Sequence, residues 1–420
     1  MRKVKKVFFG IVIGTILVYQ FIIFKNFEAN NSDVSAHKIE NEMENVPDIN
    51  WDSVPKLTEK NSISEDIEIE GEVAEVKTPT AEKAETIDES AFENCYVYST
   101  LTEEDKLLYN EIYTTMMNHK EKALLTTKNL DKLERIYYAI DADHGDIYWV
   151  NGYTYIYYTT NDEITDIEFS PTYIFDENEV NMYNKLLSER INLFLSGASS
   201  NMADYEKSKY VYETLIHNID YDLEAEYNQT ILSSLLYGKT VCKGYACAAQ
   251  CLLEELGIPS VIIGGYANGE THAWNAVKLD GEWYYFDTTW GNSKYQMPDE
   301  TVGKYVDYTY LNMTEDEIRK THTIDVSFEL PICNSMNDNY FVKEGKYITE
   351  FDADYIGSIL SSAWEKGQRS CNIQFCNQEI YNSAIEHFIQ NKHITDYCKG
   401  IRSYSYLENR TSNVITINFD

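Results

Sequence analysis

The chain has 420 residues, with 35 Lys and Arg against 69 Asp and Glu, which gives a net charge of −34. This length corresponds to roughly two or three domains with at least one sizeable core. The negative charge repels phosphate backbones and anionic lipid surfaces, which argues against nucleic-acid binding as the main function. The eight cysteines are too few for a disulfide-rich scaffold, and no pair has the CxxC spacing of a zinc or redox site.

The N-terminus combines positive charge with a long apolar segment. Arg2 and three lysines precede an 18-residue apolar run at 7–24, which is about the minimum length that crosses a bilayer as a helix. Because basic residues stay on the cytoplasmic side, we expect residues 1–25 to anchor the chain and everything beyond them to lie outside. A cleaved signal peptide is the alternative, but its best small-residue site, VSA at 34–36, lies far beyond the apolar run.

An acidic segment follows the apolar run. Residues 26–93 contain 19 acidic residues against five lysines, together with three prolines and only scattered apolar residues. Such a composition cannot bury enough apolar surface to offset the entropy cost of ordering the chain. We therefore expect residues 26–94 to form a disordered, self-repelling stalk.

Periodic apolar patterns begin near residue 95 and predict a small α+β module over residues 95–203. We expect three elements in it: a helix over 101–115, a β-hairpin over 146–159 and a helix over 181–196. The Asn151-Gly152 pair is a strong turn signal and is placed at the centre of the hairpin. The segment Asp141-Ala-Asp143-His144 contains candidate metal ligands, but we interpret it as a turn rich in Asx groups.

The segment GKTVCKGYACAAQCLLEEL at 238–256 predicts a helix that begins at a cysteine. The helical pattern opens at Cys242 and stops at Gly257, with Pro259 beyond it. Unpaired backbone N–H groups and the helix dipole at such a position favour the thiolate, and Lys243 adds positive charge beside it. Since the thiolate is the nucleophilic form of cysteine, Cys242 is a candidate nucleophile.

The next segment predicts an antiparallel hairpin that brings an imidazole and a carboxylate together. A strand over 272–279 pairs with a strand over 282–287 through a two-residue Asp-Gly turn. In that register His272 and Asp287 are diagonal neighbours on one face, about 7 Å apart, unless a bulge breaks the parity. The three parts of an activated nucleophile are then present: Cys242 attacks, His272 withdraws and returns the proton, and Asp287 orients the ring.

These motifs resemble those of the transglutaminase-like (papain-like cysteine protease) superfamily, in its bacterial membrane-anchored branch. GKTVCKGYA resembles the nucleophile motif, and THAWNAVKLDGEWYYFDTTW at 271–290 resembles the histidine and aspartate blocks. The resemblance covers about residues 205–325. It implies an α+β fold in which the helix that bears the cysteine packs on an antiparallel sheet that bears the histidine and the aspartate. It also implies thioester chemistry on a glutamine, peptide or amide carbonyl, with the acyl group on Cys242.

Four further residues are candidate parts of this site. The resemblance implies an upstream side chain that helps the Cys242 N–H to bind the oxyanion, and Gln229 or Thr230 is the candidate. Trp274 and Trp290 are first interpreted as walls of the core or cleft, with contact to the substrate as the alternative. We expect neither a metal ion nor a cofactor.

Residues 329–420 predict a small α/β module that follows the catalytic domain at 204–328. Its expected elements are helices over 353–366 and 380–390 and strands over 372–375 and 414–419. Four of the cysteines are candidates for disulfides outside the cell, with a pairing that the sequence does not specify: Cys333, Cys371, Cys376 and Cys398.

The sequence as a whole predicts an extracytoplasmic, membrane-anchored bacterial enzyme that acts on a protein or cell-wall peptide; a secreted form is the alternative. A peptidase or amidase is favoured over a crosslinking enzyme, because nothing in the sequence indicates an amine site or a water-free acyl-enzyme. The alternative function is a catalytically silent surface module that keeps the fold and binds its ligand without turnover.

Overall fold

The computed structural model describes residues 3–7, 46–51, 69–72, 78–296 and 302–419. Among these residues, no helix has the length and apolar character needed to cross a membrane. The apolar run at 7–24, on which the predicted anchor rests, lies outside the described residues from position 8 onward. The anchor therefore stays a prediction.

Parts of the predicted stalk are ordered on the folded domain. Ile49 is buried, and its backbone N–H donates to the side chain of Asn218 at 3.0 Å. The N–H groups of Thr80 and Ala81 donate to the Glu168 carboxylate at 2.8 and 3.0 Å. Local apolar residues and buried side-chain acceptors thus order these pieces despite the acidic composition around them.

A five-stranded antiparallel sheet and four helices form the N-terminal part. The sheet has the order β2-β1-β4-β5-β3. Its strands are β1 (Lys3–Val7), β2 (Ile69–Glu72), β3 (Ala123–Leu125), β4 (Val150–Thr160) and β5 (Glu163–Tyr173). The helices are α1 (Tyr96–Thr100), α2 (Glu103–Met117), α3 (Leu130–Asp143) and α4 (Glu177–Phe194), with a 3₁₀ turn at Glu89–Phe92.

The prediction of a hairpin turn at Asn151-Gly152 is wrong. These residues form an irregularity inside β4, where the register shifts between Val150 and Tyr153 and Gly152 has a φ of 79°. The chain reverses instead at Asn161 and Asp162, whose φ values of 51° and 64° suit a tight hairpin turn. An Asn-Gly pair serves a bulge as readily as a turn, because both need a residue that tolerates positive φ.

The segment predicted as an Asx-rich turn, residues 141–144, is instead the end of α3. The Asp143 carboxylate accepts hydrogen bonds from the N–H groups of Val97 and Tyr98, both at 2.9 Å, and so fixes the start of α1. Burial raises the pKa of Asp143 to about 6. A buried apolar stripe continues along α3 to Ala142, which explains why the helix extends over these polar residues.

A second, four-stranded antiparallel sheet with the order β10-β9-β8-β13 forms the central part, and α7 packs against it. Its strands are β8 (Ser260–Ala267), β9 (Glu270–Leu279), β10 (Glu282–Phe286) and β13 (His322–Ile324). The helices are α5 (Asp204–Asn218), α6 (Ile231–Tyr237), α7 (Cys242–Glu255), α8 (Thr288–Gly291) and α9 (Glu315–Ile318). Short strand pairs flank them: β6 (Asp220–Tyr221) with β7 (Lys239–Thr240), and β11 (Asn292–Gln296) with β12 (Val302–Val306). The predicted α+β fold class is confirmed.

The N-terminal and central parts share one hydrophobic core. Phe92 and Ile136 from the first part belong to the same buried cluster as Leu252 and Ile262 from the second. The predicted boundary between residues 203 and 204 therefore runs through continuous packing.

The C-terminal part has a second core and a mixed sheet with the order β14-β15-β17-β16. Tyr340 and Phe341 of its first helix and Val414 of its last strand belong instead to the core of the first two parts. Its strands are β14 (Tyr347–Ile348), β15 (Ser370–Phe375), β16 (Tyr404–Asn409) and β17 (Val414–Phe419). Its helices are α10 (Tyr340–Lys343), α11 (Ala353–Glu365), α12 (Gln378–Ala384) with a π-helical continuation at Ile385–Gln390, and α13 (Ile394–Tyr397). All eight cysteines are free thiols, so the disulfides considered for this part are absent from the structure.

Candidate active site

Cys242 is the first residue of α7. The chain enters the helix directly from β7, and the residue between them, Val241, is extended. The carbonyl of Asn228 accepts both the Val241 N–H at 3.2 Å and the Thr240 hydroxyl at 2.7 Å. These bonds fix the backbone at the start of the helix. The largely buried Cys242 side chain therefore begins next to the free N–H groups of the first turn.

Gly244 allows the loop that contains Asn228 and Thr230 to lie close to this first turn. A Cβ atom at Gly244 would lie 1.9 Å from the Thr240 hydroxyl oxygen and 2.9 Å from the carbonyl oxygens of Asn228 and Thr230. Only glycine fits such close backbone contact. Close packing therefore explains why the residue two positions after the cysteine is a glycine.

Lys243 is paired across the molecule rather than with the cysteine. Its Nζ lies 2.6 Å from the Asp141 carboxylate at the end of α3, and the lysine side chain is only 10% exposed. Burial acts to lower the pKa of Lys243, but the Asp141 carboxylate outweighs it and the pKa is raised. The charge that we predicted beside Cys242 mainly joins α7 to the N-terminal part.

The β9–β10 hairpin has the predicted register, but Asp287 does not lie on its second strand as predicted. Pairing runs from Leu279 opposite Glu282 to Asn275 opposite Phe286. Asp287 lies beyond the end of β10 and is the N-cap of α8, where its Oδ1 accepts the Trp290 N–H at 3.0 Å. The carboxylate is therefore held by a helix start and not by a strand.

His272 and Asp287 form a buried ion pair. The distance from His272 Nε2 to Asp287 Oδ2 is 2.8 Å, and the two side chains are 0% and 1% exposed. Burial is the largest influence on each pKa and disfavours charge on both groups. Their mutual attraction outweighs it, so the pKa of His272 is raised and that of Asp287 is lowered.

The other nitrogen of this ring is available to the cysteine. Nδ1 of His272 is buried and has no hydrogen-bond partner among the described residues. The Cys242 thiol is one of the groups that raise the pKa of His272, after the Asp287 carboxylate. The structure therefore brings Cys242, His272 and Asp287 together in the order thiol, imidazole and carboxylate.

A second histidine, His322, contacts the same carboxylate and was not predicted. Its Nε2 lies 3.1 Å from Asp287 Oδ2, because β13 pairs with β8 and reaches the same end of the sheet as His272. His322 follows Asp287 by 35 residues. No spacing rule links positions this far apart, so only the strand order could have revealed it.

His272, Asp287 and His322 are also the one group in the described part of the chain that could hold a metal ion, since their ligand atoms lie within 4.8 Å of one another. Hydrogen bonds already join both Nε2 atoms to the same carboxylate oxygen. The three side chains are at most 1% exposed. An ion would have to displace both ring protons inside a closed site, so the donor set fits hydrogen bonding better than a metal.

The two predicted oxyanion donors lie in the loop before α6. The Thr230 hydroxyl donates to the Tyr227 carbonyl at 2.8 Å, so its proton is already used. Gln229 follows Asn228, which binds the residue before Cys242. The Gln229 Oε1 atom is buried with no hydrogen-bond partner among the residues described.

Tyr221 is a further donor near the thiol that the sequence analysis missed. Its hydroxyl is buried and has no hydrogen-bond partner in the part of the chain that is described. Burial raises the pKa of Tyr221, and the Cys242 thiol and Asp287 carboxylate add to this effect. The hydroxyl thus lies close enough to both groups to feel their charge.

The two tryptophans pack around the histidine. The Trp274 ring stacks on His272 with centroids 5.7 Å apart, and the Trp290 ring lies 6.2 Å from it. Trp274 is 1% exposed and Trp290 is 5% exposed. Wall residues that exclude water from His272 are therefore the interpretation that the packing favours.

Residues 194–288, which include the whole constellation from Cys242 to Asp287, match the family model of the Transglutaminase-like superfamily. The chain contains a transglutaminase-like domain. The resemblance predicted from the nucleophile, histidine and aspartate motifs is confirmed.

Two curated relatives match part of this chain. Kyphoscoliosis peptidase of Mus musculus is 31% identical over 136 residues, which is 28% of this chain and 20% of the relative. The Homo sapiens protein of the same name is 30% identical over 106 residues, 21% of this chain and 16% of the relative. The chain thus spans a fifth or less of the length of these relatives.

Solved structures resemble the chain more distantly. A structure described as a TGase has 16% identity and a TM-score of 0.25, over 43% of this chain and 54% of its own. A putative cysteine protease from Cytophaga hutchinsonii has 15% identity and a TM-score of 0.21, over 44% of this chain and 80% of its own. The chemistry of the transglutaminase-like domain has to be argued from its own residues.

Proposed function

We propose that the protein is a cysteine-dependent acyl-transfer enzyme, with Cys242 as the nucleophile and a peptide or amide bond as the target. The observation that carries this proposal is the buried His272–Asp287 pair, which leaves His272 Nδ1 available to the thiol at the start of α7. The name peptidase borne by the two curated relatives supports hydrolysis. The substrate class that we propose is a protein or a cell-wall peptide.

The geometry supports a two-step reaction. The Cys242 thiol transfers its proton to His272 Nδ1, and the sulfur attacks the carbonyl carbon to form a tetrahedral oxyanion. Collapse of this intermediate forms the thioester and breaks the C–N bond, while His272 returns the proton to the leaving amine. A water molecule then loses a proton to His272 and attacks the thioester, which frees the acid and restores the thiol. Throughout, the Asp287 carboxylate stabilises the imidazolium.

The oxyanion needs donors that are placed before the reaction begins. We assign this role to the Cys242 N–H together with the Tyr221 hydroxyl, which has no hydrogen-bond partner in the described part of the chain and so keeps its proton for the oxyanion. The Nε2–H of Gln229 is the alternative donor. Water is the acceptor that we favour, and transfer to an amine is the alternative.

The location forms part of the same proposal. The apolar run at 7–24 supports a single-pass anchor with the catalytic part outside the cytoplasm, and a secreted form is the alternative. The pairing of β1 (Lys3–Val7) with β4 argues against the anchor, because it places the residues before the run in one sheet with the folded part. Immunoblots of the membrane and medium fractions of cells that produce the full chain distinguish the two. Full-length protein confined to the cytoplasm would contradict both.

The pH dependence of cysteine alkylation by iodoacetamide tests the proposed nucleophile. We expect Cys242 to react faster than the other cysteines at about pH 6.5, because His272 can take up the proton of its thiol. Cys247 on the same helix is the internal control, since burial raises its pKa to about 12. Mass spectrometry of each cysteine peptide measures the rates.

Reaction of Cys242 only near or above the usual thiol pKa would contradict the proposal. It would instead favour a catalytically silent binding module. The Cys242→Ala variant then separates the two functions, because ligand binding without turnover in both proteins supports the silent module, and a product that disappears with this substitution supports the enzyme.

A further inference from the structure

We propose that His322 is a positioning residue of this centre: its neutral imidazole donates Nε2–H to Asp287 Oδ2 and holds the carboxylate in place for His272. The inference rests on the proposed function. It adds a fourth side chain to the three that the motifs identify.

Both histidines reach the same carboxylate oxygen. His272 Nε2 is 2.8 Å and His322 Nε2 is 3.1 Å from Asp287 Oδ2, and the two rings lie 5.3 Å apart between centroids. Oδ1 accepts the Trp290 N–H at 3.0 Å. With both oxygens bonded, the carboxylate cannot rotate away from His272 without breaking a buried hydrogen bond.

The Asp287 carboxylate fixes the tautomer of a neutral His322. An ionised carboxylate has no proton to donate, so the Nε2 atom that lies 3.1 Å from its Oδ2 carries the ring proton. Nδ1 of a neutral ring is then an acceptor, and the Thr321 hydroxyl at 2.7 Å is its donor. This is the tautomer that donates to the carboxylate.

The surroundings keep His322 uncharged. The titratable groups that face its ring are Asp287, His272 and Tyr310, with Trp274 and Trp290 completing the contact. Burial and the nearby charge of His272 together lower the pKa of His322 more than the Asp287 carboxylate and the Ile318 carbonyl raise it. One carboxylate therefore pairs with one cation, His272, while His322 acts as a neutral donor.

Removal of this donor has a specific consequence. Asp287 would keep the Trp290 and His272 contacts, but the side of Oδ2 that faces β13 would be left buried without a partner. A poorly oriented carboxylate stabilises the imidazolium less, and the thiolate that the imidazolium pairs with becomes less populated at low pH. The effect therefore appears at Cys242 even though His322 does not act on the substrate.

The test compares two substitutions of the same residue. Glutamine places an amide N–H near the position of Nε2, whereas leucine has none. We expect His322→Leu to slow alkylation of Cys242 about tenfold at about pH 6.5, and His322→Gln to recover most of the wild-type rate. At about pH 9.5 thiols ionise without help, so all three proteins should react at similar rates. Equal rates in all three proteins at the lower pH would overturn the proposal.

The NMR spectrum of protein labelled with ¹⁵N-histidine gives a second readout that does not depend on alkylation rates. Among the signals of neutral histidines we expect one that is lost in His322→Gln and that has its proton on Nε2, and we expect a low-field N–H signal from His272. A proton on Nδ1 of His322, or on both of its nitrogens, would overturn the proposal.

This design separates the two proposals. If wild-type Cys242 does not react at low pH, the proposed enzyme fails. The NMR tautomer still decides whether His322 donates to Asp287. If wild-type Cys242 reacts and both variants match it, only the role of His322 fails.

Discussion

At the scale of single residues, the Asp287 carboxylate is the group on which the site depends most. It accepts from two histidines and from a backbone N–H, and its own N–H donates to the Tyr310 carbonyl at 3.0 Å. Its charge is what raises the pKa of His272 against the effect of burial. Substitutions can therefore test the charge of Asp287 and its orientation separately.

Asp287→Asn is expected to leave the fold intact and to lower activity by about 10³- to 10⁴-fold, the scale seen when a triad aspartate is neutralised. The amide cannot stabilise the imidazolium, and its NH₂ group favours the wrong His272 tautomer. Turnover measured alongside circular dichroism checks this, with Asp307→Asn as a control because Asp307 is an equally buried aspartate that binds Thr309 N–H at 3.0 Å. Wild-type turnover in Asp287→Asn would contradict the triad assignment.

Gly244→Ala is expected to lower the free energy of unfolding by about 2–4 kcal/mol, because the added methyl meets fixed backbone carbonyls as well as a hydroxyl. Gly264→Ala on β8 is the matched control: its nearest neighbour would be 3.7 Å away, and the expected loss is below about 1 kcal/mol. Urea unfolding measures both. Similar losses in the two variants would show that the close approach at Gly244 is not the cause.

Which residues the sequence could identify follows from their separation along the chain. Cys242 was found from a helix start, and His272 with Asp287 from a hairpin whose register a two-residue turn determines. His322 and Tyr221 reach the site through strand pairings between distant segments, which leave no local pattern. These are the residues that only the structure reveals.

At the scale of elements, the contact between α3 and α7 connects the N-terminal part to the proposed nucleophile. Lys243 binds Asp141 at 2.6 Å. Gln250 accepts the Gly145 N–H at 2.8 Å and donates to the carbonyls of Ala142 and Ser260 at 3.0 and 3.2 Å. The contacts of Lys243 and Gln250 thus fix the orientation of the helix that bears Cys242.

A double-mutant cycle at this contact tests that connection. Asp141→Asn leaves a buried lysine without its partner and is expected to cost about 1–2 kcal/mol, a reduced figure because the carboxylate is 48% exposed and screened by water. Lys243→Met should cost less, since methionine fills the same space. The two changes together should cost less than their sum. Strict additivity in urea unfolding would indicate that the pair does not interact.

The errors at this scale have one physical origin. The Asn151-Gly152 pair satisfies a bulge and a turn equally, and the choice depends on the long-range pairing of β4 with β5. The carboxylate predicted on a strand is on a helix cap, because β10 ends at Phe286 and Asp287 caps α8. Local patterns predicted which residues come together more reliably than the elements that hold them.

At the scale of the whole molecule, the first two parts share one hydrophobic core, and most of the third part packs around a second core. The sequence suggested a boundary at residue 204 because the motifs that carry the resemblance cover about residues 205–325. Shared burial between α3 and α7 leaves no such break in packing. A domain defined by its motifs need not be a unit of folding.

Fragment 204–328 on its own is therefore expected to lack a cooperative unfolding transition, because it would expose the apolar face of α7 that packs against the N-terminal part. The full chain is the control and should unfold cooperatively. Circular dichroism in urea distinguishes them. A sharp transition for the shorter fragment near the midpoint of the longer one would establish residue 204 as a true boundary.

The position of β13 determines when the centre is completed during synthesis. A chain that has left the ribosome only as far as Asp287 already carries the thiol, the first imidazole and the carboxylate. The strand with His322 emerges 35 residues later and adds to the edge of a sheet whose other strands have been made. The nascent protein therefore passes through a stage in which the proposed nucleophile and its imidazole are present but the carboxylate does not yet have its second histidine.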